Sequence, residues 1–78
     1  MALIEARKPP QEWCDRLRFA RLQAGLSQGK LGEQLGYTTR EHGRRAVKAW
    51  EEGVAAPGIC QIRALANALG VTIESLIP

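Results

Sequence analysis

Apolar residues recur along the chain at helical spacing, in short runs that each stop at a glycine. No helix breaker occurs from 11 to 24. There Trp13, Leu17, Ala20 and Ala24 fall on one stripe, with Phe19 and Leu22 widening it. Gly25 supplies the stop. Ser27 is placed to cap a second helix over 28–35, with Leu31 and Leu35 inward and Gly36 as terminator. Gly29 and Gly32 each cost that helix up to about 1 kcal/mol relative to alanine, so close approach of another helix is the expected compensation. After a loop at 54–58, Ile59, Ile62, Leu65, Ala66 and Leu69 mark the inward face of a further helix that Gly70 ends. Thr72 caps a last short helix over 73–77, closed by Pro78. No segment alternates as a strand does, and no repeat or low-complexity linker interrupts the chain. The pattern predicts an all-α fold of five short helices.

A chain of 78 residues makes one small domain. Pro9-Pro10 ends an N-terminal arm, residues 1–10, and leads into a domain over 11–78. The composition, 45% hydrophobic and 24% charged, reads as globular. No apolar run reaches the ~20 residues that span a bilayer. The opening "MALIEARKPP" lacks the apolar core of a secretory signal, because Glu5, Arg7 and Lys8 arrive too soon. A cytoplasmic location is the expectation, with no membrane partner. Cys14 and Cys60 form no CxxC, and with His42 they lack the spacing of a metal site, so two reduced thiols and no cofactor are expected. With one histidine, no paired carboxylates and no phosphate-cradling glycine loop, the chain is not expected to be an enzyme. The net charge of +3 is compatible with nucleic acid, and its distribution says more. Ten of the eleven basic residues precede Gly53, and only Arg63 and Glu74 carry charge after it. The front of the chain is cationic and the back nearly neutral.

The order of particular residues adds to this. Leu17-Arg18 with Arg21 is followed by Gly25-Leu26-Ser27-Gln28, Gly36, Trp50-Glu51-Glu52-Gly53, Pro57 and Ala68-Leu69-Gly70-Val71. In this order the chain resembles the lambda-repressor-like helix-turn-helix family, also called Cro/C1 or XRE type, from about Arg16 to Ile77. The resemblance implies a compact five-helix DNA-binding domain. Its second and third helices form the helix-turn-helix, the third entering the major groove while the second crosses the backbone. Gln28 matches the family's phosphate-contacting glutamine, at a helix start whose free N–H groups favour an anion. Three positions depart from the family pattern. Gly32 replaces the usual alanine, Lys30 the usual glutamate, and Gly58 a frequent capping serine.

The largest departure is the recognition segment. Residues 37–52 separate Gly36 from Gly53. That is about five more than the family usually has, and five helical residues rotate a face by about 140° net. Anchored from the right, Val47 and Trp50 point inward with Gly43 one turn earlier, and Arg44, Arg45 and Lys48 point outward beside Ala49. Anchored from the left, Tyr37 joins the core and Thr38 is the N-cap, with Glu41 completing a capping box and pairing with Arg45. An extended helix from near Thr39 reconciles the two and sets Arg40, Arg44 and Lys48 on one basic stripe. The other arrangement is a loop through His42-Gly43 and a family-length helix from about Arg44. Of the two, the extended helix is favoured. Expected base contacts are Arg44, Arg45, Lys48 and Ala49; expected phosphate contacts are Ser27, Gln28, Lys30, Thr38 and Arg40.

The neutral back offers a dimer face through Ala64, Asn67, Ala68, Ile73 and Ile77, because family members usually read near-palindromic sites as symmetric dimers. The expected function is a sequence-specific double-stranded DNA-binding repressor of prokaryotic or phage type, working as a homodimer. The alternative is an antitoxin-type module whose main partner is a protein such as a toxin.

Overall fold

A computed structural model describes residues 11–76, so the expected arm at 1–10 lies outside the described residues. Five helices succeed one another: α1 (Gln11–Gln23), α2 (Gln28–Gln34), α3 (Arg40–Glu51), α4 (Ile59–Leu69) and α5 (Ile73–Leu76). Their inner faces meet in one core of Trp13, Cys14, Leu17, Leu31, Val47, Trp50, Leu65, Ala66, Leu69 and Leu76.

The local signals act much as the sequence predicts. Ser27 Oγ accepts from the Lys30 backbone N–H at 3.0 Å, and Thr72 Oγ1 does the same for Ser75 at 3.2 Å. Gly25 and Gly36 take φ of 74° and 95°, the left-handed region open to glycine, and so close α1 and α2. Gly58 has no side chain to cap α4. Its own N–H donates to Gln61 Oε1 at 2.8 Å, the reverse half of a capping box.

Four apolar expectations need correction. Phe19, Leu22 and Ile59 are exposed, at 63, 59 and 65%, and Ala24 is exposed as well. The buried stripe of α1 is Trp13, Cys14, Leu17 and Arg21, which leaves Phe19 and Leu22 beside it and Ala24 in the exposed turn. At the start of α4 the chain first dips inward at Ile62, half-buried, and then at Leu65.

The long recognition segment is a helix. His42 and Gly43 are both inside α3, so the loop alternative does not form. Its N-cap is Thr39 rather than Thr38: Thr39 Oγ1 accepts from the His42 N–H at 3.1 Å. The cap chemistry is the expected one, displaced by one residue, and it leaves Glu41 free of the capping box. From the other end Gly43, Val47, Trp50 and Glu51 face inward, so both anchors hold together.

One contact explains why α2 and α3 each tolerate a glycine. A Cβ built on Gly32 would stand 2.5 Å from the Gly43 Cα, and one on Gly43 would stand 2.7 Å from the Gly32 Cα. The two helices therefore cross backbone to backbone, at a separation that no side chain larger than hydrogen permits. Gly29 faces a different neighbour, the Arg40 side chain, whose Nε lies 3.0 Å from the Cβ position.

Candidate nucleic-acid interface

The far end of α3 is fixed by a buried ion pair. Arg21 Nε donates to Glu51 Oε2 at 2.6 Å, Arg21 Nη2 to Oε1 at 3.2 Å, and Arg21 Nη1 to the Leu26 carbonyl at 2.8 Å. Gln28 Nε2 also donates to Glu51 Oε1, at 3.1 Å, and Arg18 Nε lies 3.6 Å from the same oxygen. A desolvated carboxylate is tolerable only when its lone pairs are occupied, and these are. The network ties α1, the start of α2 and the end of α3 into one rigid frame. It also places Gln28 at the base of α2 with one amide N–H engaged and the other free to meet an anion.

At the near end, Arg40 crosses from α3 to lie over Gly29 in the first turn of α2. The crossing helices thus bring Arg40 and Gln28 to the same end of α2, beside Ser27 and Lys30, although they come from different helices. Ser27 is committed as the cap, and Lys30 Nζ sits 3.7 Å from Glu33 Oε1. Thr38 is exposed in the turn before α3.

Arg40, Arg44 and Lys48 stand at i, i+4 and i+8 along α3, with Arg45 and Ala49 beside them. Arg45 and Lys48 are exposed, Arg44 and Ala49 half-buried. One carboxylate organises two of these cations. Arg44 Nη2 donates to Glu41 Oε2 at 2.6 Å and Arg44 Nε to Oε1 at 3.2 Å, while Arg45 Nε donates to Oε2 at 3.1 Å. The hydrogen bonds from Arg44, and then the one from Arg45, hold the Glu41 carboxyl down at about 2. Glu41 in turn raises the Arg44 guanidinium. Among the described residues neither Arg40 nor Lys48 has an ion-pair partner, so these two are the uncommitted charges on the helix.

Two contacts at this surface escape the sequence reading. Arg18 is invisible as a neighbour of Gln28, because Glu51, which joins them, is far away in sequence. Glu41 is expected to pair at i+4 and to complete a capping box; its tighter partner is Arg44 at i+3, a spacing equally available on a helix.

Of the residues expected at a dimer face, Ala64, Ala68 and Ile73 are half-buried and Asn67 is exposed, while Ile77 lies outside the described residues. The larger exposed apolar groups are elsewhere. Phe19, Ala20, Leu69 and Val71 line a groove of about 540 Å³ between α1 and the α4–α5 end, rimmed by Glu12 and Asp15. Cys14 is buried and Cys60 exposed. Burial, followed by the Asp15 carboxylate, pushes the Cys14 thiol up. Among the described residues no three metal-ligating side chains cluster, and no helix is long and apolar enough to cross a membrane.

A family model described as helix-turn-helix matches residues 17–76, which takes in all five helices but the first turns of α1. No curated protein and no solved structure matches the chain.

Proposed function

We propose a function from a plain premise: the chain belongs to the Cro/C1-type (XRE) helix-turn-helix family, a DNA-binding regulatory family that is not typically enzymatic. The protein is a sequence-specific repressor that occupies a near-palindromic operator as a homodimer. It works in the cytoplasm, where the operator lies. The observation that carries this reading is the single uninterrupted α3. It is locked backbone to backbone on α2 and presents Arg44, Arg45, Lys48 and Ala49 outside its core-facing stripe.

Helix α3 enters the major groove with its arginines toward guanine O6 and N7, and Ala49 meets a thymine methyl. Ser27, Gln28, Lys30, Thr38 and Arg40 lie along the flanking phosphates and set the register. Ala64, Asn67, Ala68, Ile73 and Ile77 form the contact between the two copies. A second reading, a protein partner such as a toxin with DNA binding secondary, draws on the exposed Phe19 and Leu22 beside the apolar groove.

Fluorescence anisotropy of the purified protein on duplex DNA from upstream of its own gene, with a scrambled duplex alongside and across a salt series, tests the first reading. Preferential binding that falls steeply with salt, and that Arg45→Ala weakens mainly on the native duplex, is the expected result. Equal, weak binding to both duplexes overturns it.

A further inference from the structure

Glu41 sits on the same exposed surface as the cations assigned to DNA, where a carboxylate is repelled by every phosphate nearby. A negative charge there lowers affinity for all duplexes alike. Helix stabilisation gives a partial reason for it, since an acid in the first turn suits the helix dipole. That reason does not require the geometry observed. A first-turn acid needs no partner, yet Glu41 takes the Nε and Nη2 edge of Arg44 in a two-bond fork and shares Oε2 with Arg45.

The donors left over are the informative part. A guanidinium carries five N–H groups. Glu41 occupies the Nε–H of Arg44 and one of its Nη2–H bonds. What remains is the Nη1 pair and the second Nη2–H, and the edge joining Nη1 to Nη2 carries two parallel donors. That edge matches the O6 and N7 acceptors of guanine, the commonest bidentate contact in a major groove. Arg45 is held only at Nε and keeps both of its Nη groups. An arginine without such a support sweeps a large volume and bonds to whichever phosphate is nearest.

Resting on the DNA-reading function above, we propose that Glu41 is a positioning residue that sets specificity. Its carboxylate buttresses Arg44, and secondarily Arg45, so that their free donor edges address guanine instead of the backbone. The residue belongs to the extra length of the recognition segment, so the lengthened helix brings its own support for the two arginines it presents. Glu41 lowers affinity for DNA in general and raises the ratio between right and wrong sequences.

The test begins with duplexes that the wild-type protein enriches from a randomised pool. Binding of wild type, Glu41→Gln and Arg44→Ala is then compared on an enriched duplex and on a scrambled one. Glu41→Gln is expected to bind the scrambled duplex more tightly and to lose roughly tenfold in the ratio between the two, about the value of one well-placed bidentate contact. It is also expected to relax a guanine preference at the same position of the half-site as Arg44→Ala does. In the absence of DNA, the Arg44 Nε–H resonance is expected to lose its protection from exchange in Glu41→Gln. Parallel weakening on both duplexes would mark a purely helix-supporting role. Parallel strengthening would mark a simple repelling charge, and either result overturns the proposal. A wild-type protein that enriches no sequence removes the DNA-reading function itself, and that outcome is visible before any variant is made.

Discussion

The two ends of α3 carry the same chemistry in opposite surroundings. At its C-terminal end Glu51 receives a forked arginine at 2.6 Å with its side chain fully buried and that of Arg21 only 10% exposed. At its N-terminal end Glu41 also receives a forked arginine at 2.6 Å, but the two side chains are 51 and 42% exposed. Distance does not separate the pairs; water does. The buried pair has left its hydration behind, so each partner depends on the other and on Gln28 and the Leu26 carbonyl for compensation. The exposed pair stays in contact with solvent, so holding it together adds little to the stability of the fold. One fork therefore holds the fold, and the other is free to take part in binding.

The comparison breaks most visibly at Glu51. Glu51→Ala leaves Arg21 buried without a counter-ion, and urea unfolding is expected to show a loss of about 3–5 kcal/mol, a large share of a small domain's stability. The glycine crossing between the two forks comes next. Gly32→Ala places a Cβ 2.5 Å from the Gly43 backbone, which cannot step aside. A loss of about 1–3 kcal/mol in the same assay is expected. Gly29→Ala sharpens that result, because its Cβ meets only the flexible Arg40 side chain and the helix gains propensity, so the net change is expected to be small.

The smallest effect lies at the exposed fork and is read by pH. The Glu41 carboxyl is depressed in the folded protein, to about 2 from an ordinary value of 4.5. Its contribution is therefore complete above pH 4.5 and fades as pH falls from there through about 2. The difference in urea midpoint between wild type and Glu41→Gln is expected to be slight at neutral pH and to vanish toward the acid end. A midpoint difference that stays constant across that interval would mean that Arg44 and Arg45 do not hold Glu41 in solution.

Much of this architecture is legible in the residues because its signals are local. Ser27 caps α2 and Thr72 caps α5, Gly25 and Gly36 stop α1 and α2, and the Val47–Trp50 spacing fixes which side of α3 turns inward. The family model, matching residues 17–76, agrees with the five-helix reading. The failures have equally local causes. Thr38 and Thr39 offer identical hydroxyls, and only the path of the turn decides which one caps. Phe19 and Leu22 border the buried stripe of a helix of few turns, where a small angular error moves a side chain from core to solvent. Of the surface on α3, the positions of Arg44, Arg45 and Lys48 on one continuous helix are legible. The Glu41–Arg45 pair is legible too, at i, i+4, but the tighter fork to Arg44 is not, because Glu41 stands at an equally good spacing from both arginines. The link from Arg21 to Glu51 joins residues thirty apart, and no periodicity reports a contact of that range.

The crossing of Gly32 and Gly43 also bears on how such a protein changes over generations. A contact made by two backbones is indifferent to the side chains on the outer faces of the same helices. Residues 41, 44, 45, 48 and 49 are thus open to wholesale replacement while the fit between α2 and α3 stays as it is. The two glycines themselves are frozen as a pair, since enlarging either one collides with the other. Under the proposed function, descendants of this chain are free to acquire new targets by rewriting one face of a helix, and a designer is free to do the same, provided that both glycines travel with it.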